Sequence, residues 1–180
     1  MRAKVSQRLV IDACVLRAAG GEGATFPLSK HCRDALMATL EVCHRAVESE
    51  ALREERKKHE SSFARQWRTA MVARKKLLLL EVPADEALRG EVEAAAATDR
   101  DREAMLKDMH LVEAARATDG IVLSSDETAR GLFAQASQRA RGLKAIVWVN
   151  PGQEGERTRA WLEAGAPAEK GYRLGGPRKE

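Results

Sequence analysis

Several features that mark common protein classes are scarce or missing in this chain. Its 180 residues include three cysteines, Cys14, Cys32 and Cys43, none of them in a Cys-x-x-Cys pair. An odd, scattered set of thiols argues against a disulfide framework or a zinc ribbon and fits a reducing cytoplasm. Aromatic residues make up only 4%. No apolar run approaches the ~20 residues that span a bilayer. The run that follows Arg2, Lys4 and Arg8 is cut at Asp12, too early for a signal-peptide core. There is no Gly-x-x-x-x-Gly-Lys-Ser/Thr loop and no Gly-x-Gly-x-x-Gly after the first strand, which disfavours P-loop and dinucleotide-binding proteins. His31, His44, His59 and His110 lack zinc-ligand spacing. No internal repeat occurs.

What the chain does have is charge on an ordinary apolar background. Hydrophobic residues are 44% and charged residues 32%, with a net charge of +4, so a globular fold compatible with a polyanionic partner is expected. The length predicts one domain over 1–164. Residues 165–180, rich in Gly, Pro and charge, read as a flexible basic tail.

Arg8-Leu9-Val10-Ile11 reads as a buried strand, Gly20 to Gly23 as a loop, and Ser29 as the start of a helix presenting Leu36, Met37 and Leu40. Ala46-Val47 is a weaker strand. Ser49 reads as the N-cap of one long helix or two in tandem, reaching about Arg74. A strand over Leu77 to Val82, a helix over Ala84 to Ala97 and a helix capped by Thr98 follow. Ile121 to Ser124 forms a strand, after which Ser125 or Asp126 caps a helix. Ala145 to Val149 is the last strand, and one amphipathic helix runs through Trp161. Strands that are continuous apolar runs alternate with helices, which predicts a three-layer α/β/α sandwich around a parallel sheet.

Asp12 ends the first strand, Asp126 lies just past the strand ending at Ser124, and Asp108 is placed near the start of the helix leading into that strand. A parallel sheet gathers such positions at one rim, and ligands bind there. Crowded carboxylates raise one another's pKa, a cost that a divalent cation removes. Taken singly, Asp126 reads as a helix cap, Asp108 as a surface residue, and Asp12 as a charge embedded among apolar neighbours.

Together these segments resemble the PIN domain. The family's apolar-apolar-Asp strand matches Val10-Ile11-Asp12, and its Asp-x-His-Leu-Val-x-Ala-Ala segment matches Asp108 to Ala115. Its strand ending in Ser/Thr-x-Asp matches Ile121 to Asp126. The resemblance spans roughly residues 7 to 150. It implies Mg²⁺ or Mn²⁺ held by Asp12, Asp108 and Asp126, a fourth catalytic acid at Glu55 with Glu54 as its rival, and in-line hydrolysis of an RNA phosphodiester. Glu41 and Glu48 are weaker choices for the fourth acid. Ser124 either orders the site or bonds backbone. Many relatives are toxins paired with an antitoxin protein, and homodimers are common among them. A PIN fold that binds RNA or protein without cutting is the alternative. A phosphatase of the haloacid-dehalogenase type would want an aspartate where Cys14 stands.

From Arg53 to Lys76 nine cationic residues face three acids. Arg56, Lys57, Lys58, Arg65 and Arg68 are the candidates there for RNA phosphate contacts, against a solvated helix face. Phe63 and Trp67 either stack bases or, at helical spacing, pack in the core.

Overall fold

The computed structural model describes residues 5–20 and 25–177. Most of the expected glycine loop (Gly21 to Gly23), the N-terminal Arg2 and Lys4, and the final Arg178, Lys179 and Glu180 lie outside the described residues.

Five strands, β1 (Arg8–Ile11), β2 (Arg45–Glu48), β3 (Leu77–Leu79), β4 (Ile121–Leu123) and β5 (Val147–Val149), form one all-parallel sheet in the order β3-β2-β1-β4-β5. Successive side chains of a strand point to opposite faces, and the two cores follow that period. Leu9, Ile11, Ala46, Ile121, Leu123, Val147 and Val149 face one layer. It holds α1 (Ala13–Ala18), α2 (Leu28–Glu41), α4 (Ser62–Ala73) and α9 (Glu156–Glu163). Val10, Val47, Val122 and Trp148 face the other layer. That layer holds α5 (Glu86–Ala95), α6 (Asp99–Arg116) and α7 (Glu127–Ala136), and also takes Leu52 of α3 (Glu50–His59). The expected α/β/α sandwich is the architecture observed.

Local chemistry sets most boundaries. Ser49, Ser61, Asp85, Thr98 and Asp126 each accept a helix N-terminal N–H, capping α3, α4, α5, α6 and α7. The expected long helix after Ser49 is therefore two, divided at Ser61, whose hydroxyl also donates to the Leu16 carbonyl (2.7 Å). Strand β3 is shorter than the apolar run Leu77 to Val82. Its neighbour β2 ends at Glu48, where Ser49 turns the chain into α3, so β3 runs out of partner. The helix expected through Trp161 breaks into α8 (Pro151–Glu154) and α9 at Gly155, whose φ of +54° lies in the left-handed region glycine favours.

Of the segment expected as a flexible tail, the described residues 165–177 are docked. Tyr172 and Leu174 are buried. Arg173 forms an antiparallel bridge with Val147, and the Leu174 N–H bonds the Ile146 carbonyl (2.9 Å). The Tyr172 ring meets Trp161 edge-on, 5.7 Å between centroids, and the Trp161 indole donates to the Pro167 carbonyl (2.9 Å). Glycine and charge dominate the composition of this segment, but two well-placed apolar residues and backbone pairing decide its position. Among the described residues no helix is long and apolar enough to cross a membrane.

Candidate active site

The sheet order reverses between β1 and β4, since the chain leaves β1 on one side for β2 and β3 and returns on the other to β4 and β5. Crevices beyond the carboxyl ends of strands at such a reversal are where open α/β sheets bind ligands. Ile11 is in register with Leu123, so the next residues, Asp12 and Ser124, come abreast on the face covered by α6.

Asp12 is held by three hydrogen bonds from two residues. The Ser124 hydroxyl donates to Asp12 Oδ2 (2.7 Å), and the Cys14 thiol donates to the same oxygen (3.1 Å). Asp12 Oδ1 takes a longer bond from the Cys14 N–H (3.4 Å) as the N-cap of α1. The Ser124 oxygen in turn accepts from the Asp126 N–H (3.1 Å), and the Cys14 sulfur from the Ser125 N–H (3.3 Å). Burial, and then the charge of Asp12, push the Cys14 thiol up to about 11, so it keeps the proton it donates. Asp126 caps α7 through Oδ1, which accepts the Ala129 N–H (2.8 Å). Ser124 thus bonds both the Asp12 carboxylate and the Asp126 backbone N–H.

Asp108 is not near the start of its helix but in the second half of α6. It lies on the stripe of Met105, Met109 and Val112, all buried against the sheet. α6 is antiparallel to the strands and ends at the rim where β4 begins. Eight residues at 1.5 Å separate Asp108 from the end of the helix, a rise of ~12 Å, while a four-residue strand advances ~10 Å. A mid-helix residue therefore stands level with the strand ends, and the first half of α6 overshoots the sheet. Burial first, then the charges of Asp12 and Asp126, hold the Asp108 carboxyl above its ordinary value. Among the described residues it makes no hydrogen bond or ion pair.

Glu55 and Glu54 differ in environment. Glu54 pairs with Lys57 (2.9 Å) and is exposed. Glu55 turns toward α6. It binds Lys58 (2.8 Å), and that pairing, with smaller contributions from His110 and Lys107, lowers its pKa. Its charged neighbours flank Asp108 in sequence, but none is Asp12, Asp108 or Asp126.

The cations proposed from sequence to hold RNA are largely occupied. Arg56 is mostly buried between Glu48 (2.8 Å) and Glu60 (3.2 Å), and Arg68 binds Glu60 (3.1 Å). Lys57 and Lys58 hold Glu54 and Glu55, and Arg65 reaches Glu60 at 3.9 Å. These five cations are thus paired with Glu48, Glu54, Glu55 and Glu60, although the segment as a whole stays net positive. Trp67 is core, donating to the Leu36 carbonyl (2.7 Å), and Phe63 lies under the Arg33 guanidinium, 5.4 Å from the ring centre.

Two site residues escaped the sequence reading. Cys14 read as core packing and as the missing second aspartate of another enzyme class. Asn150 read only as part of a strand stop. It is buried at the end of β5, where its amide donates to Glu127 (2.8 Å) and accepts the Gly152 N–H (2.8 Å). The available signal for Asn150 was its place immediately after β5, as Asp12 follows β1 and Ser124 follows β4.

Among the described residues no three acids, imidazoles or thiols stand close enough together to enclose one metal ion. The donor chemistry nevertheless fits a hard divalent cation. Magnesium characteristically uses one or two carboxylates and keeps several waters, and Asp108, which makes no ion pair among the described residues, feels the charges of both Asp12 and Asp126. Comparison with protein-family models gives no match, and comparison with curated proteins gives none either.

Proposed function

We propose that this chain is a PIN-type, Mg²⁺- or Mn²⁺-dependent ribonuclease. The observation that carries the reading is the crowding of carboxylates at the β1–β4 reversal. Asp108 makes no ion pair among the described residues, and burial, Asp12 and Asp126 hold its carboxyl high, offset only in part by His110 and Lys107. Asp12 and Asp108 would hold the cation, with Asp126 beside them. When bound, such an ion polarises a phosphoryl oxygen and eases deprotonation of water.

The chain's own residues prepare the site for it. Ser124 and Cys14 fix Asp12 by bonding one oxygen, so a single rotamer is presented. The α7 cap does the same for Asp126. Asp108, half-buried on the stripe of α6 that meets the sheet, has its charge only partly screened by bulk water, which strengthens its attraction for a cation. Glu55, at the α3–α6 contact, faces His110 and Lys107 on either side of Asp108 and would be free to join the site once Lys58 swings away.

Melting and cleavage together test the reading. Saturating Mn²⁺, at about a hundred times its dissociation constant, adds about 2.7 kcal/mol. That raises the Tm by about 5–10 °C in a chain of this size. Asp108→Asn is expected to melt higher than the parent in metal-free buffer, to lose the Mn²⁺ response and to lose RNA cleavage. An unresponsive parent Tm, with RNA cleavage intact in Asp12→Asn, would sink the assignment.

A second reading, a PIN fold that holds RNA without cutting it, is favoured by the engagement of Glu55 with Lys58 rather than with the aspartates. It is distinguished by RNA binding without turnover in Mn²⁺.

A further inference from the structure

Among the described residues, a group of exposed cations without ion pairs lies along the β5 edge, where the C-terminal segment docks and away from the basic α3–α4 segment. A cleft of about 320 Å³ there is lined by Lys144, Ala145, Lys170, Arg173 and the Gly175–Gly176 turn. Lys144, Lys170 and Arg173 are exposed and make no ion pair among the described residues. A narrower cleft adjoins it, sharing Arg173 and lined on its other side by Arg130, Gly131 and Ala134 of α7. Among the described residues no acid lines either cleft.

The concavity is built into the backbone. A Cβ on Gly175 would come within 2.9 Å of the Lys144 side chain, and one on Gly176 would collide with the Lys170 carbonyl. Only glycine lets the segment close down beside Lys144, and that closure sets Lys170 and Arg173 opposite it. The Gly175 N–H bonds the Lys144 carbonyl (3.2 Å), and the Arg130 guanidinium reaches the Gly171 carbonyl (3.5 Å).

The two clefts also have a direction. α7 begins at Asp126 on the carboxylate rim and descends beside the sheet. Arg130 stands one turn below Asp126, and Ala134 one turn further, ~12 Å from the cap. Lys144 lies at the opposite rim, ahead of β5. Arg130 also touches Glu127 (3.7 Å), an acid whose other oxygen is held by Asn150.

We propose that Arg130, Arg173, Lys170 and Lys144 form a phosphate-binding track that holds the backbone of a single-stranded nucleic acid leading away from the carboxylate site. The inference rests on the nuclease reading for the kind of ligand, while the track itself rests on the clefts. Such contacts bind without regard to sequence and weaken with salt as counterions are released, with a slope of about 0.7 per phosphate on a single strand.

The test is fluorescence anisotropy of a labelled oligouridylate long enough to pass from rim to rim. It is measured across a salt series in EDTA, so that cleavage does not enter. Lys144→Gln/Lys170→Gln/Arg173→Gln is expected to bind at least about tenfold more weakly, with a log–log salt slope shallower by about 2. The double variant lacking only the two lysines, both on the exposed surface, is expected to lose about 1.4 of slope and guards against a folding defect. Arg53→Gln/Lys57→Gln/Arg65→Gln removes equal charge from the α3–α4 segment and is expected to stay closer to the parent. Equal affinity and slope in parent and track variants overturns the proposal. So does displacement of the strand by inorganic phosphate, and not by chloride of equal ionic strength, which marks a free-phosphate site. Loss of cleavage in Mn²⁺ with the track effect intact would fault the nuclease reading alone.

Discussion

His44 shows how much one residue can tie together. Its ring is fully buried just ahead of β2. Nδ1 accepts the Gln7 N–H (3.1 Å), so Nε2 carries the proton and donates it to the Leu162 carbonyl (2.8 Å). Burial holds its pKa below the ordinary 6.5. The neutral ring is thus favoured in the folded chain. As pH falls through about 6.5 the unfolded chain takes up a proton first, and stability declines until the folded pKa is reached. Denaturant unfolding from about pH 7 to pH 5 is expected to show that decline. His44→Ala is expected to flatten it and to cost about 1–3 kcal/mol at neutral pH, because two buried backbone groups lose their partner. At this scale Asp12 was legible because an acid interrupting Leu-Val-Ile has few bland explanations. Cys14 was not, since a thiol among apolar residues looks the same whether it packs or donates to a carboxylate.

Among elements, α5 and α6 are joined by a buried, charged contact. Glu113 is buried and accepts two bonds from Arg89 (2.7 and 2.9 Å) and one from the Asp85 N–H (2.9 Å), while Arg116 binds Asp85. Glu113→Ala leaves the guanidinium and the N–H without an acceptor. It is expected to lower stability by on the order of 3 kcal/mol in equilibrium unfolding, with Mn²⁺ affinity unchanged because the aspartates are untouched. Element order and type were readable from apolar periodicity and from caps such as Ser49 and Thr98. The depth of Asp108 within α6 was not. It depends on how short β1 and β4 are, and strand length is set by where neighbours stop, as β3 illustrates when β2 turns away at Glu48.

For the whole molecule, the docked C-terminal segment closes the β5 edge. Deleting residues 166–180 uncovers the surfaces that Tyr172 and Leu174 bury, at ~1.5–3 kcal/mol each. The shortened chain is expected to lose about 3–6 kcal/mol, read as a lower Tm. Composition hid this segment, since glycine, proline and charge describe a linker as well as they describe a strap held by two apolar residues. It also hid the basic track, whose cations come from three separate stretches and meet only after the strap is in place.

The overshoot of α6 sets an unequal evolutionary latitude along that helix. Between Asp108 and Ile121 an inserted residue would swing the carboxylate by ~100°, away from Asp12, so that interval is rigid to insertions and deletions. Ahead of Asp108 the helix projects past the sheet, and turns gained or lost there would reshape the wall over the pocket while the acids stay in place. Descendants of this chain are free to remodel what enters the pocket far more readily than the constellation at its floor.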